Sequence, residues 1–274
     1  MQQFQGKVAA ITGAGSGIGR GLAHELARRG ASLALSDIDD AGLAETVALV
    51  EQSAGDRGSV KVASAHVDVT DRTAVDAWAT SVVEEFGQAN LIFNNAGVAL
   101  SANVGSMSYD SFRWLMDINF WGVVHGTLAF LPHLKASGDG HVINISSVFG
   151  LLGIPSQSAY NSAKFAVRGF TDALRTELDI ERCGVSATTI HPGGIRTNIA
   201  RNARFEFADH EEAIDAEQAA VDFEKFTRTT PDRAAQLIIG AVEKNKRRAL
   251  IGPDAHVFDA AARISPRGAQ WALG

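Results

Sequence analysis

Short apolar runs alternate with longer stretches of helical period along the chain. The runs Lys7–Thr12, Ser32–Asp37, Val60–Val67, Leu91–Asn94, His141–Ser146, Val185–His191 and Ala249–Gly252 read as strands. Apolar spacing of three and four residues at Gly17–Arg29, Asp40–Gln52, Thr73–Phe86, Tyr109–Leu134, Ala159–Arg182 and Pro231–Lys244 predicts helices between them. Strands that alternate with helices feed a parallel sheet. The expected fold is therefore α/β and doubly wound: one domain over 1–274, with a seven-stranded parallel sheet and helices on both faces. Residues at about 198–230 break the rhythm. They follow a strand, are charged and carry a helical pattern of their own, so a substrate lid is expected there. Residues from about 253 to 274 read as a C-terminal tail.

Composition agrees with a large core. Of 274 residues, 46% are hydrophobic and 20% charged, which excludes wholesale disorder. Lys and Arg number 25 against 31 Asp and Glu, a net charge of −6 with no basic block, so neither nucleic acid nor an anionic membrane is an expected partner. The most apolar stretch, Ile118–Leu134, is interrupted by Asn119, Gly122, His125, Gly126 and Pro132, and the start of the chain has no basic-then-apolar leader. The single cysteine, Cys183, cannot form an internal disulfide, which suits a reducing cytoplasm. Eight histidines are scattered without H-E-x-x-H or a close pair, so no metal is expected. No serine lies in G-x-S-x-G, the signature of a hydrolase nucleophile.

The first chemical signal is Thr12-Gly-Ala-Gly-Ser-Gly-Ile-Gly19, between the first strand and the first helix. Glycines there let the backbone approach a pyrophosphate, and a helix N-terminus offers unpaired N–H groups. The spacing is G-x-x-x-G-x-G through Gly13, Gly17 and Gly19, with Gly15, Ser16 and Ile18 between them. Asp37 ends the second strand 18 residues after Gly19, where a carboxylate can accept from the hydroxyls of an adenosine ribose. Asp39 and Asp40 are the alternatives for capping the helix that follows. Asp37 would repel a 2′-phosphate. Arg20 is the one nearby cation that could favour one.

The second signal is a phenol with a lysine one turn away. Tyr160 opens a helical pattern with Lys164 at i+4, and Ser147 lies just past the strand His141–Ser146, at the carboxyl edge of the sheet. A free phenol has a pKa of about 10 and needs a cation to serve as a base near neutrality. A serine hydroxyl can hydrogen-bond the reacting oxygen. The only other tyrosine, Tyr109, has Arg113 at i+4 but no serine arriving from a strand end, and reads as structural.

In combination these residues resemble the classical short-chain dehydrogenase/reductase family. The likeness rests on Thr12–Gly19, Asn94-Asn-Ala-Gly97, Asn119, Ser147, Tyr160-Asn-Ser-Ala-Lys164, and Pro192-Gly193 with Thr197, with 13 residues from Ser147 to Tyr160. It implies a Rossmann-like domain that binds a nicotinamide cofactor, and Asp37 makes NAD the expected one. Tyr160 would be the general acid/base, Ser147 would orient the substrate oxygen, Lys164 would hold the nicotinamide ribose, and Asn119 would hold a water linking Lys164 to solvent. Asp68 and Val69 would flank the adenine, Asn95 and Ala96 would line the cofactor channel, Ile195 and Thr197, past Pro192-Gly193, would fix the carboxamide, and Gly97, Pro192 and Gly193 would also contact the cofactor. The resemblance also implies a homodimer or homotetramer built on the two long helices. The expected substrate is an uncharged, largely apolar secondary alcohol or its ketone. From Arg204 to Phe226 eight acids face two cations, a rim expected to disfavour anionic partners. Rival readings are an NADPH-dependent ketoreductase of acyl thioesters and a catalytically silent cofactor sensor on the same fold.

Overall fold

The computed structural model describes residues 4–54, 60–199, 201–206, 227, 229–265 and 267–268. Most of the expected lid and the end of the expected tail lie outside the described residues. The central sheet contains β1 (Val8–Thr12), β2 (Ser32–Asp37), β3 (Val62–His66), β4 (Leu91–Asn94), β6 (Gly140–Ile145), β7 (Val185–Pro192) and β9 (Arg248–Ile251). β5 (Leu100–Ala102) and β8 (Arg204–Glu206) pair separately. All seven central strands are parallel, in the order β3-β2-β1-β4-β6-β7-β9. The chain winds outward in one direction from β1 and in the other from β4. The crevice at the carboxyl ends of these two strands is where a doubly wound sheet receives a ligand.

Alternation along the strands explains why both faces carry helices. In β1, Ala9 and Ile11 pack with Leu22 and Leu26 of α1 (Gly17–Arg28), Leu43 and Val50 of α2 (Asp40–Ala54), and Ile238 and Ile239 of α7 (Pro231–Glu243). Val8 and Ala10 point the other way, toward Val75 and Trp78 of α3 (Arg72–Phe86), Phe130 of α5 (Gly122–Ser137) and Leu174 of α6 (Ser158–Glu181). Each large side chain buried there, Leu26 or Phe130 for instance, contributes about 1.5–3 kcal/mol.

Three features depart from the sequence pattern. The stretch predicted as one helix over Tyr109–Leu134 is α4 (Tyr109–Met116), a π-helical turn (Asp117–Trp121) and α5. The wide turn brings Asn119 wholly inside, where its amide donates to Val98 O (2.9 Å) and accepts from Val98 N–H (2.8 Å). On either side of Asn119, Trp114 stacks under the Arg204 guanidinium (3.6 Å) while Trp121 stays half-exposed. The expected tail begins as a helix, α8 (Pro253–Ile264), because Pro253 presets the first turn and Asp254 complements its N-terminus. β5 and β8 span three residues each, too short to show a period.

Candidate active site

The glycine turn leaves β1 at the crevice. Gly13 has φ +66°, and a Cβ on it would lie 2.8 Å from Ala96 Cα. Gly19 sits so close to β1 that a Cβ would come within 2.0 Å of the Gly13 carbonyl oxygen, which lets α1 start directly against the strand. Gly17 faces Thr197 and Gly15 faces Asp37 in the same way, at 3.0 and 2.9 Å from a built Cβ. Ser16, extended, precedes α1 without a side-chain cap, so the first N–H groups of the helix, from Gly17, Ile18 and Gly19, have no helical acceptors. A cleft of about 620 Å³ opens between this turn and Arg196–Asn198, with Pro231 and Asp232 beyond it.

Both neighbouring strands are tied to the turn. Thr12 Oγ1 accepts from the Asn95 and Ala96 N–H groups (3.0 Å each), and Asn95 Nδ2 donates to Thr12 O and Gly13 O. The Asn95 amide thus holds the turn itself. Asp37 accepts from Gly15 N–H (2.7 Å) and Asp39 N–H (3.0 Å), and stays half-buried. Asp39 accepts from Gly42 N–H (3.1 Å) in the first turn of α2, so Asp37 is not needed for that cap. Arg20 is not a free cation for a phosphate. Its guanidinium donates to Gly15 O (2.5 Å), Gly42 O, Thr46 Oγ1 and Glu45, stapling the turn to α2. Asp68 is exposed and bonded to Thr70, whereas the Val69 side chain is buried against Gly122.

The second half of the site assembles from β6 and α6. Ser147 leaves β6 into the 3₁₀ turn Val148–Gly150, its Oγ accepting from Phe149 N–H (3.1 Å). Tyr160 and Lys164, one helical turn apart, present the phenol and ammonium to it, with Lys164 Nζ 5.4 Å from the Tyr160 ring centroid. Phe149 meets the Tyr160 ring edge-on. Burial pushes the phenol up to about 12, partly opposed by the hydrogen bond with Ser147. Burial also lowers Lys164 to about 8, with Nζ donating to Ile145 O (3.0 Å). A Cβ on Gly97 would lie 3.2 Å from Asn119 Oδ1 and 3.7 Å from Lys164 Nζ, so these three residues meet beside the phenol. Val148, Leu151 and Leu152 after the serine are buried.

The turn after β7 closes the crevice. Ile195 is buried and bridges Thr229, and Thr197 leans on Gly17. Asp254 accepts from Gly194 N–H (2.6 Å) and occupies the space that a Cβ on Gly193 would need. Among the described residues no group of three metal-ligating side chains forms, and no helix is long and apolar enough to cross a membrane.

A dinucleotide fits this arrangement. A cradle that any side chain would fill lies at a helix N-terminus, a carboxylate stands at the end of β2, and Asn95–Gly97 after β4 run from the Gly13 turn to Lys164 beside Tyr160. Known proteins agree. The family model for short chain dehydrogenase matches residues 7–206. A Mycobacterium tuberculosis protein named as the oxidoreductase SadH is 49% identical over 266 residues, covering 96% of this chain and 92% of its own. The chain belongs to the short-chain dehydrogenase/reductase family. Its fold superposes on a family member from Burkholderia phymatum in complex with NAD, with TM-score 0.86, 29% identity and coverage of 100% of this chain and 98% of that one. Levodione reductase superposes with TM-score 0.80 and 30% identity, over 94% and 100% of the two chains. The protein is thus an oxidoreductase of this family.

Two residues that hold the site carry no motif of their own: Asp254, from the stretch read as tail, and His191, before Pro192. Only the position of His191, beside Pro192-Gly193 in a buried strand, offered a sequence clue. Glu206 was counted in the acidic rim. It is instead bonded to Ser108 and Ser111 at the start of α4, and the Ser111 hydroxyl, first, holds its pKa low.

Proposed function

We propose that this oxidoreductase transfers a hydride between NAD and an uncharged, largely apolar secondary alcohol or its ketone. The observation that carries the reading is the hydrogen-bonded pair of Ser147 and Tyr160 with the Lys164 ammonium beside the phenol ring. Bound NAD supplies the hydride acceptor. Ser147 Oγ accepts from Phe149 N–H, and its O–H, bonded to Tyr160 in the free protein, is the donor that turns to the substrate oxygen. Tyr160 takes the hydroxyl proton in oxidation and returns it in reduction. Lys164 favours the phenolate by its charge. Asp37, presented by two backbone N–H groups with Arg20 already engaged, supports NAD over NADP.

The full Ser147, Tyr160 and Lys164 set favours catalysis over a silent cofactor sensor. The acidic run of 204–226 leaves β8, which pairs with β5 next to the Gln157 turn before Tyr160, and favours an uncharged substrate over an acyl thioester. Half-exposed Trp121, Leu128 and Phe165, on the π turn, α5 and α6, support a homodimer or homotetramer through those helices. One free cysteine supports the cytoplasm as the compartment. The test is NADH formation from a panel of secondary alcohols beside NADH or NADPH consumption with acetoacetyl-coenzyme A, at low and high salt. Turnover confined to uncharged alcohols and ketones is expected. Efficient, salt-insensitive turnover of the thioester would revive the ketoreductase.

A further inference from the structure

His191, near the end of β7, is wholly buried, and its Nδ1 lies 2.8 Å from the Ser147 carbonyl oxygen. A carbonyl cannot donate, so Nδ1 carries the hydrogen. Burial holds the imidazole pKa down at about 4, so the ring is neutral near pH 7 and Nε2 is a bare acceptor. That Nε2 is buried and, among the described residues, has no hydrogen-bond partner. The fold therefore fixes one tautomer and leaves the other nitrogen unsatisfied, which is rare for a buried polar atom. The bond that selects this tautomer goes to the peptide of the serine facing Tyr160.

Besides the hydroxyl's bond with Tyr160 of α6, the bonds to Ser147 come from within its own turn: Phe149 N–H to Oγ at 3.1 Å and Gly150 N–H to the carbonyl at 3.0 Å. They shape the turn but do not set it against the sheet. Asn161 of α6 ties the turn further along, at Phe149 O (2.7 Å). Among the described residues, His191 is the tie to the Ser147 carbonyl that reaches from the sheet. We infer that His191 is a positioning residue for Ser147: its Nδ1–H sets the peptide from which the Ser147 hydroxyl meets Tyr160 and the substrate oxygen. This rests on the proposed roles of Ser147 and Tyr160. Small misplacement of a catalytic group costs up to about 10²-fold in rate.

His191→Asn keeps an N–H donor near the Nδ1 position, and His191→Leu removes it at similar bulk. The Leu variant should lose tenfold or more in kcat with the KM for NAD within about twofold, and the Asn variant should recover most of that loss. Equal impairment of both, or an unimpaired Leu variant, would overturn the inference. ¹⁵N NMR of the histidine rings in the wild-type protein tests it without any variant: a neutral ring protonated at Nδ1 is expected, and protonation at Nε2 alone would overturn it. Ser147→Ala separates the two levels. Wild-type turnover there would sink the catalytic reading of the site. Loss of turnover there beside an unimpaired Leu variant would sink the role of His191 alone.

Discussion

At neutral pH both partners of the phenol–ammonium pair hold their protons, since burial sets Tyr160 at about 12 and Lys164 at about 8. In the proposed reaction this form of the phenol is the acid for a ketone oxygen, and the hydrogen bond with Ser147 is what draws its pKa back toward the base form that alcohol oxidation needs. At the other end of the crevice, the proposed preference for NAD rests on Asp37. Two unit charges about 4 Å apart interact by roughly 4 kcal/mol at an effective dielectric of 20, enough to reject a 2′-phosphate even when screening halves it. Wild-type kcat/KM should favour NAD over NADP at least tenfold, and Asp37→Ser should narrow that ratio by a similar factor. A wild-type preference for NADP would contradict this account. The glycine turn, Asp37 and the Ser147, Tyr160 and Lys164 set were readable because their spacing is local. The engagement of Arg20 was not, because Glu45 and Thr46 reach it from α2, 25 and 26 residues away.

At the scale of elements, β6 and β7 each bury an uncharged histidine. His141 donates or accepts with Thr188 at 2.7 Å, and burial lowers its pKa to about 3; His191 stands at about 4 for the same first cause. In the unfolded chain both return to 6.5. Below that pH the unfolded state binds protons that the folded state refuses, so the stability present at neutral pH is lost as pH falls from about 6.5 toward 4. The loss is of the order of 3 kcal/mol for His191 by pH 4. Thermal unfolding should show a falling midpoint across this window, and His191→Asn should flatten part of the slope. A midpoint independent of pH between 6.5 and 4 would contradict the neutral, buried state of both rings. Element boundaries followed the sequence where a period was long, as in α1 and α6. They failed where tertiary contacts decide: at the π turn Asn119 bonds to Val98, 21 residues back, and β5 and β8 pair with each other while β5 also bridges Gln157.

For the whole molecule, the parallel, doubly wound sheet was legible because strands apolar on both faces can only be covered by helices. The substrate was not, since residues 207–226, which hold most of the acidic rim, lie outside the described residues, and Glu206 is committed to α4. The central claim is that one phenol moves the proton of the reaction. Tyr160→Phe keeps the ring against Phe149 and removes only the hydroxyl bonded to Ser147. The decisive measurement is NAD binding and steady-state alcohol turnover on that variant and the wild type. Unchanged NAD affinity with kcat reduced by about 10²–10⁴-fold is the predicted result; a kcat above about a third of wild type, with the hydride step rate-limiting, would contradict it.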